Sequence, residues 1–494
     1  MTDRSRDVIA DLGATLRGGF YIDGDWARPL GNDRTELVCP VDAKAWIDAP
    51  LASHADIDRA TAAARKAFDT GPWPTLSASD RAHLLRRFAV EIEHREPLLA
   101  RLWTAQVGAP ISFAGMFVPT ARAMLGYYAD LLETYQFEDR RPTWSGEARV
   151  MREPIGPAAL ITPWNATLPI LFYKLAAALA AGCTVVIKSS PETPFDALVV
   201  AECAHAAGFP PGVINVITAD RTGGAHLVAS PDIDKVSFTG STAGGKAVGR
   251  ACLDRMARFT LELGGKSAAI FLDDADLGQT LPAIAPFTMP FSGQICFAQT
   301  RIIAPRSRVE EIIAAYGAAI ATLVVGDPWE PTTQLGPVSS ATQMTRALAH
   351  IAKAKVDGAR LVTGGTRLDN FGAGYFIAPT VFADVTPDMA IAREEVFGPV
   401  VVVQAYDSED EAVALANHSD FGLSGSILTA DPERGYRLAR RIRTGNIGVN
   451  ALQMAPNVPF GGYKQSGLGR EGGPEGLAAF LETKAIYMPG ANAV

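Results

Sequence analysis

From residue 158 onward, short apolar runs alternate with stretches whose apolar residues recur at helical spacing. Residues 158–161, 184–187, 213–217 and 235–239 read as strands, and 168–181, 197–207, 222–229 and 241–254 as helices, the first of these stopping at Gly182. That alternation predicts a doubly wound parallel sheet. A second α/β series runs from Ala268 to about Val403, with helices over 309–323 and 341–357 and a strand over 399–404. Helix 408–417 and strand 425–429 continue it, so two α/β domains are expected, with a boundary near residue 264. Upstream, 21–26 reads as a hairpin and 55–67 and 80–101 as helices, with Asp80 a candidate N-cap. There is no internal repeat.

Length and composition agree with this plan. A chain of 494 residues exceeds what one core supports, and 48% hydrophobic with 20% charged residues is ordinary for a globular protein. The net charge of −8 offers no basic footprint for nucleic acid or an anionic membrane. Five widely spaced cysteines (39, 183, 203, 252 and 296) form no C-x-x-C pair, and seven histidines show no ligand spacing. This argues for a reducing, cytoplasmic setting and against a metal site or disulfide framework. Residues 1–7 lack the apolar stretch of a signal peptide. The uncharged stretches 154–173 and 277–300 are broken by prolines and amides, so both read as buried strand-and-loop segments around a site, not membrane spans.

Several segments carry residues suited to chemistry. Phe238-Thr239-Gly240-Ser241-Thr242 puts glycine and hydroxyls at a strand-to-helix turn, where backbone N–H groups favour a pyrophosphate, although it is equally a plain small-residue turn. Lys188 ends a strand at the carboxyl edge where open α/β sheets bind ligands. Pro163-Trp164-Asn165 follows the strand 158–161 at the same edge, and an asparagine amide can donate to an oxyanion. Glu262, in Leu261-Glu262-Leu263-Gly264-Gly265-Lys266, precedes Cys296, in Gly293-Gln294-Ile295-Cys296, by thirty-four residues (296 − 262). Together they could serve as base and nucleophile. Each alone has a bland reading as a turn, cap or core residue.

These motifs, with Glu394-Glu395-Val396-Phe397-Gly398-Pro399 and Pro459-Phe460-Gly461-Gly462-Tyr463-Lys464, occur in an order and spacing that resembles the aldehyde dehydrogenase superfamily over residues 20–485. The resemblance implies a Rossmann-like cofactor-binding domain (1–130 and 152–264), an α/β catalytic domain (265–465) and a small β oligomerisation segment (131–151 and 466–494). In the latter, the stretches near 131–151 and 480–488 would pair between subunits of a homodimer or homotetramer. It also implies oxidation of an aldehyde to a carboxylic acid. Cys296 would be the nucleophile, Asn165 and the Cys296 N–H the oxyanion donors, Glu262 the base that activates water, and Lys174 part of a proton relay. For the cofactor, the resemblance points to Trp164, Lys188, Gly223, Gly240, Ser241, Glu262, Leu263, Gly264, Glu395 and Phe397.

One departure bears on the cofactor. Pro191 stands where many NAD-preferring members carry a glutamate three residues after the lysine, and Arg221 is on a nearby loop. NAD is expected, with NADP use left open. By the same resemblance, Ala166, Ile170, Tyr173, Phe291, Ile295, Phe297, Leu452 and Phe460 line the substrate tunnel. Their apolar character predicts a medium or bulky hydrophobic aldehyde. The alternatives are a CoA-acylating enzyme, a semialdehyde-specific member, a silent binding protein of the same fold, and a generic cysteine hydrolase.

Overall fold

The computed structural model describes residues 4–5, 7–8, 11–13 and 18–489; residues 1–3, most of the stretch read for a signal peptide up to residue 7 and the end of the outer segment at 490–494 lie wholly or partly outside them. Two open sheets organise the chain. The first runs, in space, Asp25–Ala27, Phe20–Ile22, Ile214–Thr218, Val185–Ser189, Ala158–Ile161, Lys235–Thr239, Arg258–Glu262 and Gly467–Leu468. Its five central strands are parallel, and the predicted hairpin pairs antiparallel at one edge. Numbered in chain order, those five lie 3-2-1-4-5, the doubly wound arrangement.

The apolar runs explain why this sheet is covered on both faces. Ala158 and Leu160, with Val185 and Ile187, pack on one side under the helices Ala78–Val107, Thr167–Ala181 and Phe195–Ala207. Ala159, Ile161 and Val186 face the opposite core, with the helices His54–Asp69 and Arg221–Ala229. Alternation of period two, apolar at both phases, is what a doubly buried strand requires. The second sheet orders Arg360–Thr363, Thr380–Ala383, Val400–Tyr406, Arg301–Pro305, Ala268–Phe271, Gly425–Leu428 and Gly448–Val449, all parallel except the first pair.

Three expectations change. Ser77, not Asp80, is the N-cap of the long helix: its hydroxyl accepts the Asp80 N–H at 3.1 Å, so Asp80 sits in the first turn. Within 277–300, Leu277–Thr288 is a helix despite Pro282 and Pro286, because Asp276 caps it and Leu281 and Ile284 anchor it in the core of the second sheet. Helices Ile111–Phe117 and Thr120–Thr134 fill a stretch not read as helical, so 131–134 is the end of a helix and the hairpin begins only at Glu138. The two segments expected to pair between subunits also pair with each other within the chain. Strands Glu138–Thr143, Gly146–Pro154 and Leu481–Pro489 form a three-stranded antiparallel sheet with the middle one at its centre.

Candidate active site

In the first sheet the strand order reverses around Ala158–Ile161, so the connections leaving its carboxyl end and that of Lys235–Thr239 go opposite ways and open a crevice. Trp164 and Asn165, Lys188, Thr239 with Gly240 and Ser241, and Glu262 all stand at this edge. The second domain brings Cys296, Glu395 and Phe397 against it.

Cys296 follows a strained turn. Phe291, Ser292 and Gly293 have φ of 47°, 54° and 76° in succession, and a Cβ on Gly293 would lie 2.0 Å from the Gly398 carbonyl oxygen. Two non-glycine residues in the left-handed region persist only where the surroundings enforce them. The enforcement is visible: Gln294 accepts the Ser339 N–H at 2.9 Å and its carbonyl accepts Asn165 Nδ2 at 2.8 Å. That bond uses one N–H of the Asn165 amide and leaves the second for a ligand. Burial first, then the charges of Glu395 and Glu262, push the Cys296 thiol well above its ordinary pKa.

Cys296, Asn165 and Ile170 line two cavities at once. One, of about 140 Å³, is also bounded by Trp164, Gly240, Ser241, Leu263, Gly264, Glu395 and Phe397. The other, of about 290 Å³, is overwhelmingly apolar and also contains Glu262 and Glu471. The thiol and the carboxylate therefore line the same cavity.

Glu262 ends the strand Arg258–Glu262, and neither of its buried carboxylate oxygens has a protein partner. Burial, reinforced by the nearby charge of Glu471, holds its pKa well above the carboxylate range, while Lys174 and Arg470 pull against this. Lys174 is fully buried and pairs with Glu471 at 2.5 Å and with Ser237 Oγ at 3.3 Å; Ser237 in turn donates to Glu471 at 3.0 Å. Glu471 was missed by sequence reasoning, as an isolated acid between Arg470 and two glycines carries no signal of burial.

On the other side, the ring of Phe397 stands edge-on to Trp164 at 5.6 Å across the smaller cavity. Glu395 accepts the Gly265 N–H at 3.1 Å, and a Cβ on Gly264 would come within 2.5 Å of its carboxylate, so glycine there lets the acid lie on the backbone. Ser241 caps the helix Thr242–Leu253, accepting the Gly244 N–H at 3.1 Å. Lys188 is buried and its pKa is lowered to about 8 by desolvation. Gly223 does not face it: its missing side chain would meet Ala219 and Ile57. Gly224 is the glycine beside the Lys188 stem: a Cβ built on it would lie 3.8 Å from Lys188 Cε.

The model of the aldehyde dehydrogenase family matches residues 26–486. The chain belongs to the aldehyde dehydrogenase family. Among its relatives is a geranial dehydrogenase of Castellaniella defragrans, 42% identical over 95% of this chain and 98% of that protein. Another is a 3-succinoylsemialdehyde-pyridine dehydrogenase of a Pseudomonas species, 41% identical over 94% and 98%. An aldehyde dehydrogenase C variant of Pseudomonas syringae, solved with NAD+ and octanal, superposes with a TM-score of 0.92 at 42% identity, covering 96% of this chain and 97% of that one. A Mycobacterium tuberculosis aldehyde dehydrogenase with NAD+ gives 0.94 at 42% identity, covering 96% and 99%.

Of the residues expected to line a substrate tunnel, Ala166, Ile170, Tyr173, Ile295, Phe297 and Phe460 line the apolar cavity. Phe291 and Leu452 do not. Phe291 is buried behind the wall, against Trp103 and Phe113 with ring centroids 6.2 Å from each, and Leu452 is core. Trp103, Phe113, Phe117, Met124 and Met454 take their place. The pairs Phe113/Phe117 and Thr120/Met124 are each spaced i,i+4, a helical stripe that reading 111–134 as helix would have exposed.

Proposed function

We propose that the protein oxidises a medium or bulky apolar aldehyde to its carboxylic acid with NAD. The observation that carries this reading is the position of Cys296 and Asn165 in the wall shared by an apolar tunnel and a second cleft of mixed polar and apolar lining. The relatives solved with NAD+, one of them also with octanal, and the geranial dehydrogenase support it. Among the described residues, no charged side chain apart from Glu262 and Glu471 lines the tunnel, which offers an acidic semialdehyde no cation to pair with.

The cleft suits the cofactor. Thr239 Oγ1 and Gln343 Oε1 are buried without partners next to it, Glu395 presents a carboxylate to a ribose, and Trp164 and Phe397 frame the nicotinamide end. Lys188 would hold the adenosine ribose, and Ser241 with the first-turn N–H groups of its helix the pyrophosphate. Attack by the Cys296 thiolate on the aldehyde carbon gives a thiohemiacetal whose oxyanion is held by the free Asn165 N–H and the Cys296 N–H. The nicotinamide, when bound, accepts the hydride that turns this adduct into a thioester. Glu262 then takes a proton from the water that hydrolyses it, and the Lys174–Glu471 pair behind Glu262 tunes that proton's affinity.

The assembly is a homodimer or homotetramer, supported by the long exposed outer strand Leu481–Pro489. All five cysteines are free, which supports a cytoplasmic location. Among the described residues no helix is long and apolar enough to cross a membrane. The test is NADH formation across an aldehyde panel, with Cys296→Ala as control. Alkanals of eight to ten carbons and terpenoid aldehydes should exceed succinic semialdehyde in kcat/KM by about ten-fold or more, and the variant should be inactive. A preference for succinic semialdehyde, or full activity in the variant, would refute the reading.

A further inference from the structure

Beyond the strand Val185–Ser189 the chain turns through Ser190-Pro191-Glu192-Thr193. The Thr193 N–H donates to the Ser190 carbonyl at 3.1 Å, closing a β-turn with Pro191 at its second position, where the ring's fixed φ is suited. The buried Ser190 hydroxyl donates to Glu192 Oε2. Glu192 is thereby folded back over the end of the strand that carries Lys188, although its side chain is otherwise exposed. Its charge reaches the buried Lys188 ammonium and opposes the effect of desolvation, as does that of Asp220. Asp220, however, is committed as the N-cap of the facing helix, accepting the Gly223 N–H at 2.8 Å. Arg221 begins that helix and is exposed.

A carboxylate beside the ribose-binding edge of a doubly wound sheet accepts a hydrogen bond from a 2′-hydroxyl and repels a 2′-phosphate. We propose that Glu192, held by Ser190, fills that role here and selects NAD over NADP, replacing the acid whose usual place Pro191 occupies. The proline removes one carboxylate and, by fixing the turn, presents another one residue later. This rests on the reading that Lys188 holds the adenosine ribose, and the test separates the two.

Values of kcat/KM for NAD and NADP are to be measured in the wild type and in Glu192→Gln, Glu192→Asp, Ser190→Ala and Lys188→Ala. The NAD-to-NADP ratio should fall about ten- to hundred-fold in Glu192→Gln, mostly through KM. Ser190→Ala should move it less, in the same direction, and Glu192→Asp should retain part of the preference. An unchanged ratio in Glu192→Gln, with Lys188→Ala still raising KM for NAD, overturns the role of Glu192 and leaves the ribose reading standing. If Lys188→Ala leaves KM unchanged for both cofactors, the ribose lies elsewhere and the proposal falls with it.

Discussion

Two unpartnered oxygens on a buried carboxylate are costly unless the group is neutral or meets water, and Glu262 has both its oxygens in that state. Its raised pKa means that the protonated form, useless as a base, persists above the ordinary carboxylate range. Where deacylation limits turnover, kcat should therefore climb with pH through a midpoint above that range, and fall as pH drops through it. In Glu262→Gln the first turnover should survive. A stopped-flow burst of about one NADH per subunit should precede a steady state slowed by about 10²- to 10⁴-fold; a full loss of the burst would place Glu262 in acylation instead. The Cys296 thiol offers a parallel check, because the charge of Glu395 contributes to its raised pKa. Iodoacetamide should alkylate Cys296 faster in Glu395→Gln than in the wild type at the same pH.

At the scale of elements, the turn before Cys296 is the part on which most depends. Gly293→Ala would drive a methyl group into the Gly398 carbonyl and impose a positive φ on alanine. A loss of about 1–3 kcal/mol and most of the dehydrogenase activity is expected, read by chemical denaturation and kcat. This turn was not legible in the sequence, since Phe291 and Ser292 are not residues that advertise a left-handed backbone. By contrast, the strands at 158–161, 184–187 and 213–217 were legible because each is apolar at both phases, whereas Arg258–Glu262, with its Arg, Thr and Glu, was not read as a strand. Asn165, Lys188 and Ser241 were singled out because they sit at or a few residues beyond the carboxyl ends of strands read from pattern, where the topology must open a crevice, and Glu262 because a glycine pair follows it. Phe113, Phe117 and Met124 escaped because no element was assigned to them, and Leu277–Thr288 because its prolines mask a helix that packing sustains.

Across the whole molecule, the order of the sheets followed from pattern, but the pairing of Gly146–Pro154 with Leu481–Pro489 joins segments over three hundred residues apart, which local pattern does not encode. The outer strand of that sheet keeps one edge unpaired and exposes Ile486, Tyr487 and Met488. An exposed edge of this length invites another chain. Replacing both Ile486 and Tyr487 by aspartate should shift sedimentation toward a smaller species; an unchanged distribution would exclude this strand from the interface.

The wall that contains Cys296 also governs traffic. In the proposed arrangement the aldehyde tail and the cofactor lie in separate cavities that share the wall at Cys296, so neither must leave for the other to enter. The carboxylate formed at the thiol would then be released on the side of the apolar cavity, where its precursor bound. Accumulating acid should therefore compete with fresh aldehyde while leaving the dinucleotide's exchange undisturbed, and crowding in one cavity should never be relieved by raising the concentration of the other's occupant.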